Sequence, residues 1–213
     1  MNGVSLFPLL WAVVGAAAGW LVRWGSVRLA RLEELEPGFK RWQVFGPPIL
    51  CAILFGVFAT EPMSLQLLAL RSVFVLVLVQ VIFFDMEHRL ILDRVMFPSM
   101  ALALVVSLFH QPWWAGIATG LAAGLLFLLL AVVGSAIFKA EALGFGDVKL
   151  ALFMGLLLGP LPTITALFYG VFLAGVVGVG VIIWTRSLKG SIAYGPYLAA
   201  GSLIVLFQLG RGQ

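Results

Sequence analysis

Charge is the scarcest property of this sequence. Only 10% of its 213 residues are Asp, Glu, Lys or Arg, while 62% are hydrophobic; a soluble globular chain is roughly a quarter charged. So few polar side chains cannot cover a water-facing surface, which excludes an ordinary soluble domain, a disordered chain and a coiled coil. Cysteine is nearly absent as well. The single thiol, Cys51, has no disulfide partner in its own chain and cannot build a CxxC-type metal site. Set in an apolar stretch, it reads as a small buried residue. Histidine is limited to His88 and His110, and no HExxH, P-loop or GxSxG pattern occurs. The opening MNGVSLFPLLW carries no basic residue, so it reads as the start of a retained first helix rather than a signal peptide. The net charge of +4 gives no reason to expect nucleic acid, because membrane proteins gather Lys and Arg in cytoplasmic loops for topological reasons.

Long apolar runs are what the sequence does have, and its mean hydropathy is +1.13. The expected partner of most of its surface is a lipid bilayer. Runs cut by Pro/Gly turns and by charges predict eight segments, near residues 5–22, 47–60, 65–85, 94–109, 114–138, 147–159, 161–185 and 193–209. The expected fold class is an all-α polytopic integral membrane protein, one membrane domain over 1–213 with 23–46 as its first cytoplasmic loop. Pro47-Pro48 is expected to open the second helix, Gly159-Pro160-Leu161-Pro162 to form a tight turn, and Pro196 to sit in a first helical turn. Gly170, Ala174 and Gly178 have the small-xxx-small spacing that permits close helix packing.

Eight crossings put both termini on one side. Sorting the cations gives eleven on the other side: Arg23, Arg28, Arg31, Lys40, Arg41, Arg89, Arg94, Lys139, Lys149, Arg186 and Lys189. Only Arg71 and Arg211 fall with the termini. The positive-inside rule then predicts termini outside and the charged loops in the cytoplasm. Eight of the nine acids, all but Glu61, follow the cations. Acidic residues contribute little to topology, so counter-ions for the basic loops and a chemically active face are both open explanations.

Asp85 ends the apolar run Val73–Phe84, and Asp147 stands at the start of another. Each has a plain structural reading: Asp85 as an interfacial carboxylate, Asp147 as a helix N-cap, with Asp93 another N-cap candidate. Length arithmetic favours more than that. Thirteen residues separate Asp147 from the turn at Pro160, or roughly 20 Å at about 1.5 Å per residue, against a hydrocarbon core roughly 30 Å thick. Asp147 is therefore expected below the membrane surface, where an ionisable group is costly and marks function by default. Gly144 and Gly146 permit a recessed, irregular start to that helix. Two partly desolvated carboxylates form an acid–base device in which one keeps its proton and the other is charged. The charged one takes a proton from water, that water attacks a peptide carbonyl, and the protonated one supplies the leaving amine.

Gly144-Phe145-Gly146-Asp147-Val148-Lys149 resembles the GxGD signature of intramembrane aspartyl proteases. With Asp85 and Asp93 upstream as a D-x6–7-D stretch, and Ala193–Gly201 (AYGPYLAAG) similar to an FGPFLALG-like segment, the chain resembles the bacterial type IV prepilin peptidases over residues 85 to 201. The resemblance implies that Asp85 and Asp147 are catalytic. Gly144, Gly146 and Lys149 would then be supporting motif residues, with Asp93, Gly195 and Pro196 as secondary candidates. It also implies a substrate class, prepilins and pseudopilins with a short basic leader, cleaved after a glycine at the cytoplasmic face. Many such enzymes then methylate the new N-terminus with S-adenosylmethionine.

There are departures from that pattern. The first loop reads RWGSVRLARLEELEPGFKRWQVFG with no cysteine, where the family commonly has a CxxC zinc lobe, so no zinc is expected. The GSFLNV-like end of the first helix is reduced to Gly19–Arg23, and Leu92 replaces the proline before Asp93. Glu33, Glu34 and Glu36 read as a solvated face, with a receptor for a basic leader as the alternative. Lys149 reads equally as a topological cation or a residue that tunes the pair, and Glu87 and Glu141 as polar residues of the cytoplasmic face. A small transporter relaying protons or cations through the same aspartates is the competing functional class.

Overall fold

The computed structural model describes residues 6–109, 111–138, 143–185 and 193–211. Among these the chain forms eight α-helices and no strand: α1 (Phe7–Leu32), α2 (Arg41–Phe58), α3 (Leu65–His88), α4 (Asp93–Leu108), α5 (Trp114–Phe138), α6 (Phe145–Leu158), α7 (Pro160–Thr185) and α8 (Gly195–Arg211). Five of them, α1, α2, α3, α5 and α7, are long and apolar enough to cross a bilayer, and α8 is a shorter apolar helix. α4 has 16 residues and α6 has 14; at about 1.5 Å per residue both are shorter than a bilayer core. Large apolar side chains point outward, Leu161, Phe168, Ile183 and Trp184 among them. Such a surface is stable only against hydrocarbon. The protein is an all-α, multi-pass membrane protein. Lys139, Glu141, Arg186, Lys189 and His110, which entered the sequence reading, lie outside the described residues.

The helices divide into two compact units. The first comprises Met1–His88 with Leu206–Gln213. In it α1 has a stripe of buried residues at helical spacing, Gly15, Gly19, Arg23, Ser26 and Ala30. Gly15 and Gly19 meet α2, while Arg23 and Ser26 reach side chains of α3. Two expectations fail here. Pro47-Pro48 does not open the second helix: α2 begins at Arg41 and both prolines lie buried inside it. The start is secured locally, because the Lys40 N–H donates to Gln43 Oε1 at 2.8 Å and the Gln43 N–H to the Lys40 carbonyl at 2.9 Å. Proline inside a helix removes the bond to the carbonyl four residues back. The proline pair is packed against α1, where a Cβ on Gly19 would lie 2.7 Å from the Pro47 carbonyl oxygen. α1 itself continues to Leu32 instead of stopping near residue 22. Hydropathy marks where lipid ends, and a helix need not end there. At the other end of the unit, the Arg71 guanidinium, buried in α3, donates to the Leu209 carbonyl at 3.5 Å. A cation at the last carbonyls of α8 opposes that helix's dipole favourably.

The second unit is Arg89–Val205. Here α5 meets α6 backbone to backbone: a Cβ on Gly155 would stand 2.5 Å from the Gly120 Cα. α6 ends at Gly159, whose φ of 75° suits glycine, and the chain passes at once into α7 at Pro160. The Thr163 hydroxyl donates to the Gly159 carbonyl at 2.5 Å. The expected four-residue turn is thus reduced to Gly159 alone, because Pro160, Leu161 and Pro162 form the first turn of α7. Gly170, Ala174 and Gly178 are buried, and a Cβ on Gly170 would lie 2.8 Å from the Leu198 Cα of α8. Close helix packing is what this spacing provides. Pro196 is the second residue of α8, as expected.

Candidate active site

In the first unit, Asp85 lies in the last turns of α3 and is 5% exposed. α3 runs three residues beyond it to His88, and that extension carries Glu87 onto α1. Arg23 Nη1 donates to Glu87 Oε2 at 3.1 Å, Arg23 Nη2 donates to the Gly38 carbonyl, and the Gly38 N–H donates to Glu87 Oε1. The three groups close a ring that ties α1, the α1–α2 connection and the end of α3 together. Both charged side chains are buried, at 7% and 6% exposure. Glu87, read from the sequence as a polar residue of the cytoplasmic face, has its side chain buried against α1, because α3 is longer than expected.

Further along the same seam, the Ser26 hydroxyl lies 2.8 Å from Gln80 Oε1 and 2.9 Å from the Val22 carbonyl. Gln80 Nε2 is buried without a hydrogen-bond partner among the described residues. The sequence reading missed Ser26, Gly38 and Gln80 and took Arg23 for a loop cation. A signal was present: Arg23 falls on the face of α1 that carries Gly15, Gly19, Ser26 and Ala30, and a charge within a small-residue stripe is a buried charge.

In the second unit, Asp147 is the third residue of α6 and 8% exposed. Neither it nor Asp93 is an N-cap. Gly144 and Leu92 occupy those positions, without side-chain caps. The Asp147 N–H donates to the Gly144 carbonyl at 3.0 Å, and the carboxylate lies in the first turn, where the helix dipole favours negative charge. Gly146 is required by close approach: a Cβ there would lie 2.9 Å from the Ile91 Cβ, and Ile91 is buried. Gly144 is different, since its Cβ would meet only Asp147 Oδ2 at 3.5 Å and the Gly146 nitrogen at 4.0 Å.

Lys149 Nζ donates to Asp93 Oδ1 at 2.5 Å. It also lies 5.2 Å from the Phe97 ring centroid and 4.9 Å from that of Phe145. The structure therefore brings Asp93 to Lys149 and Ile91 to Gly146. Gly195 and Pro196 are the buried first residues of α8. An apolar crevice of about 280 Å³ lies between α4, α5 and α6, lined by Met100, Leu104, Leu121, Leu152 and Leu156 among others. With no polar lining it offers surface for hydrocarbon and no chemistry.

The profile of the type IV leader peptidase family matches residues 72–179, just over half of the chain. That span holds Asp85, Asp93, Gly144, Gly146, Asp147 and Lys149, and stops before Gly195. The chain is also similar to the prepilin leader peptidase/N-methyltransferase of Bacillus subtilis (strain 168), 32% identical over 136 residues, which is 62% of this chain and 52% of the relative. It spans about half the length of that curated relative. No solved structure matches it. With its two buried aspartates and GxGD turn inside the matched span, the chain belongs to the type IV leader peptidase family.

Proposed function

We propose that this protein is a membrane aspartic endopeptidase that removes the short basic leader of prepilins or pseudopilins after a glycine, with Asp85 and Asp147 as its catalytic carboxyls. The observation that carries this reading is their burial. Two carboxyls at 5% and 8% exposure stand in predominantly apolar helices, within the span shared with the family. An aspartate within a membrane helix costs about 2.5–3.5 kcal/mol on insertion scales, so a sequence this poor in charge has reason to place them there. In a two-carboxyl acid–base device one carboxyl holds a proton and the other is ionised. The ionised one takes a proton from water as that water attacks the scissile carbonyl. The protonated one donates a hydrogen bond to the developing oxyanion and then passes its proton to the leaving amine, which restores the pair with the roles exchanged.

Proteolysis of this kind needs no cofactor. The name of the Bacillus relative includes N-methyltransferase; methyl transfer from S-adenosylmethionine to the new N-terminus is the second activity to assay. The cation distribution supports termini outside and the cleavage face in the cytoplasm. Membranes carrying the protein, incubated with a prepilin and S-adenosylmethionine, are expected to yield the leaderless product, whose mass reads cleavage and methylation separately. Asp85→Asn and Asp147→Asn should each abolish cleavage, since a missing acid–base group costs about a hundred- to ten-thousandfold. Retained cleavage in either well-folded variant refutes the reading.

A further inference from the structure

α6 gives hydrophobic periodicity almost nothing to act on. Its sequence, FGDVKLALFMGLLL, is apolar on every side, and it is buried on most of its surface. A helix apolar all round is not turned by the division between core and solvent, and each residue of slippage rotates it by about 100°. Its only charged residues are Asp147 and Lys149, about 200° apart around the axis at 3.6 residues per turn. Further along, α6 is held by the Gly155–Gly120 approach to α5. In its opening turns Lys149 is the charged group besides Asp147 itself, so what holds Lys149 bears on where Asp147 faces. Lys149 is held by three groups from two helices: the Asp93 carboxylate at the first residue of α4, the Phe97 ring one turn along α4, and the Phe145 ring at the first residue of α6. Its side chain is 17% exposed, and the ring faces favour the ammonium as the carboxylate does. One turn earlier the Gly146 backbone lies against Ile91, in the segment that leads into Asp93.

We propose that the Asp93–Lys149 pair, flanked by Phe97 and Phe145, is a rotational lock on α6. It fixes the opening turn against the start of α4 and so presents the Asp147 carboxylate on the opposite face. Lys149 and Asp93 are positioning residues in this scheme, and they act through the helix without touching the substrate. The proposal rests on the protease reading. Its signature is a loss in kcat with KM unchanged, because the carboxylate is misdirected while the surface that binds the substrate is intact.

The test measures cleavage of a prepilin by the full-length protein in membranes, with thermal unfolding of each variant in detergent alongside. Lys149→Met and Asp93→Asn should each lower kcat on the order of ten- to a hundredfold. The double variant should be no slower than the worse single one, because both remove the same contact. Lys149→Arg should keep most of the rate, and the exchanged pair Asp93→Lys/Lys149→Asp should regain much of what the singles lose. Wild-type kcat in either single variant, an effect confined to KM, or losses that multiply in the double variant would overturn the lock. Where a single variant does not accumulate, the exchanged pair decides: folded and inactive, it refutes the proposal. Asp147→Asn is run in parallel. If that variant still cleaves, the protease reading fails; if it is dead while the Lys149 and Asp93 variants run at the wild-type rate, only the lock fails.

Discussion

Replacing Glu87 with glutamine removes one charge from a pair that water scarcely reaches. In the native ring, Glu87 Oε2 accepts from Arg23 and Oε1 from the Gly38 N–H, with both side chains under a tenth exposed. Glutamine keeps the shape and one acceptor, so the Gly38 bond survives. Its amide nitrogen then faces the Arg23 guanidinium, donor against donor, and a buried cation is left without its counter-charge. Breaking a buried pair in this way costs about 3–5 kcal/mol, whereas replacing both partners by apolar groups is often neutral or better. At about 2–4 °C per kcal/mol for a chain of this length, Glu87→Gln should lower the unfolding midpoint by roughly 6–20 °C. Arg23→Met/Glu87→Met should recover most of that. The assay is thermal unfolding of the purified protein in a mild detergent. Because Glu87 is two residues beyond Asp85 in α3, prepilin cleavage should fall in the single variant as well. A Glu87→Gln midpoint equal to wild type, or a double variant as unstable as the single, would refute the reasoning, since either outcome means the pair is solvated or plays no part.

Two other predictions concern the GxGD glycines and the orientation of the chain. Gly144 and Gly146 belong to one motif, yet only Gly146 has a neighbour within 3.0 Å of its absent Cβ. Gly146→Ala should therefore destabilise by about 1–3 kcal/mol through overpacking against Ile91, and Gly144→Ala by clearly less; equal unfolding midpoints would show that Ile91 yields freely. Orientation can be read by labelling intact cells with a membrane-impermeant thiol reagent in a Cys51→Ala background. Trp113→Cys, in the α4–α5 connection, should label from outside, and Glu36→Cys, in the α1–α2 connection, only after permeabilisation. The reverse pattern would invert the topology drawn from the cations.

The order and number of helices were legible because lipid-facing helices are written as long apolar runs, and α5, α6 and α7 lie within two residues of their expected limits. The first two were misjudged at the charged ends. Arg23 was read as the start of a loop although α1 carries it inward, and Pro47-Pro48 was read as a beginning although Lys40 and Gln43 had already begun the helix. Asp85 and Asp147 were legible as notable positions, Asp147 because the 13 residues between it and Pro160 are too few to span a bilayer core. That both are buried within the protein comes from the structure. What surrounds them was not legible. The Arg23–Glu87 pair joins positions 64 residues apart and the Lys149–Asp93 pair positions 56 apart, and no local pattern reports on such distances.

A physical reason unites these failures. In water, apolar periodicity marks the inward face of a helix. In lipid both faces are apolar, and helices associate through small residues and hydrogen bonds instead. The inward face of α1 is written as Gly15, Gly19, Arg23, Ser26 and Ala30, while α7 turns Leu161, Phe168 and Ile183 outward. For such a chain the informative residues are the scarce polar ones, taken together with the glycines on the same face. Arg23 on the glycine stripe of α1 specifies a buried partner, and Lys149 on an otherwise apolar α6 specifies a rotation. Each pairing has one member close in the chain to an aspartate: Arg23 pairs with Glu87, two residues beyond Asp85 in α3, and Lys149, two residues beyond Asp147 in α6, pairs with Asp93 at the start of α4.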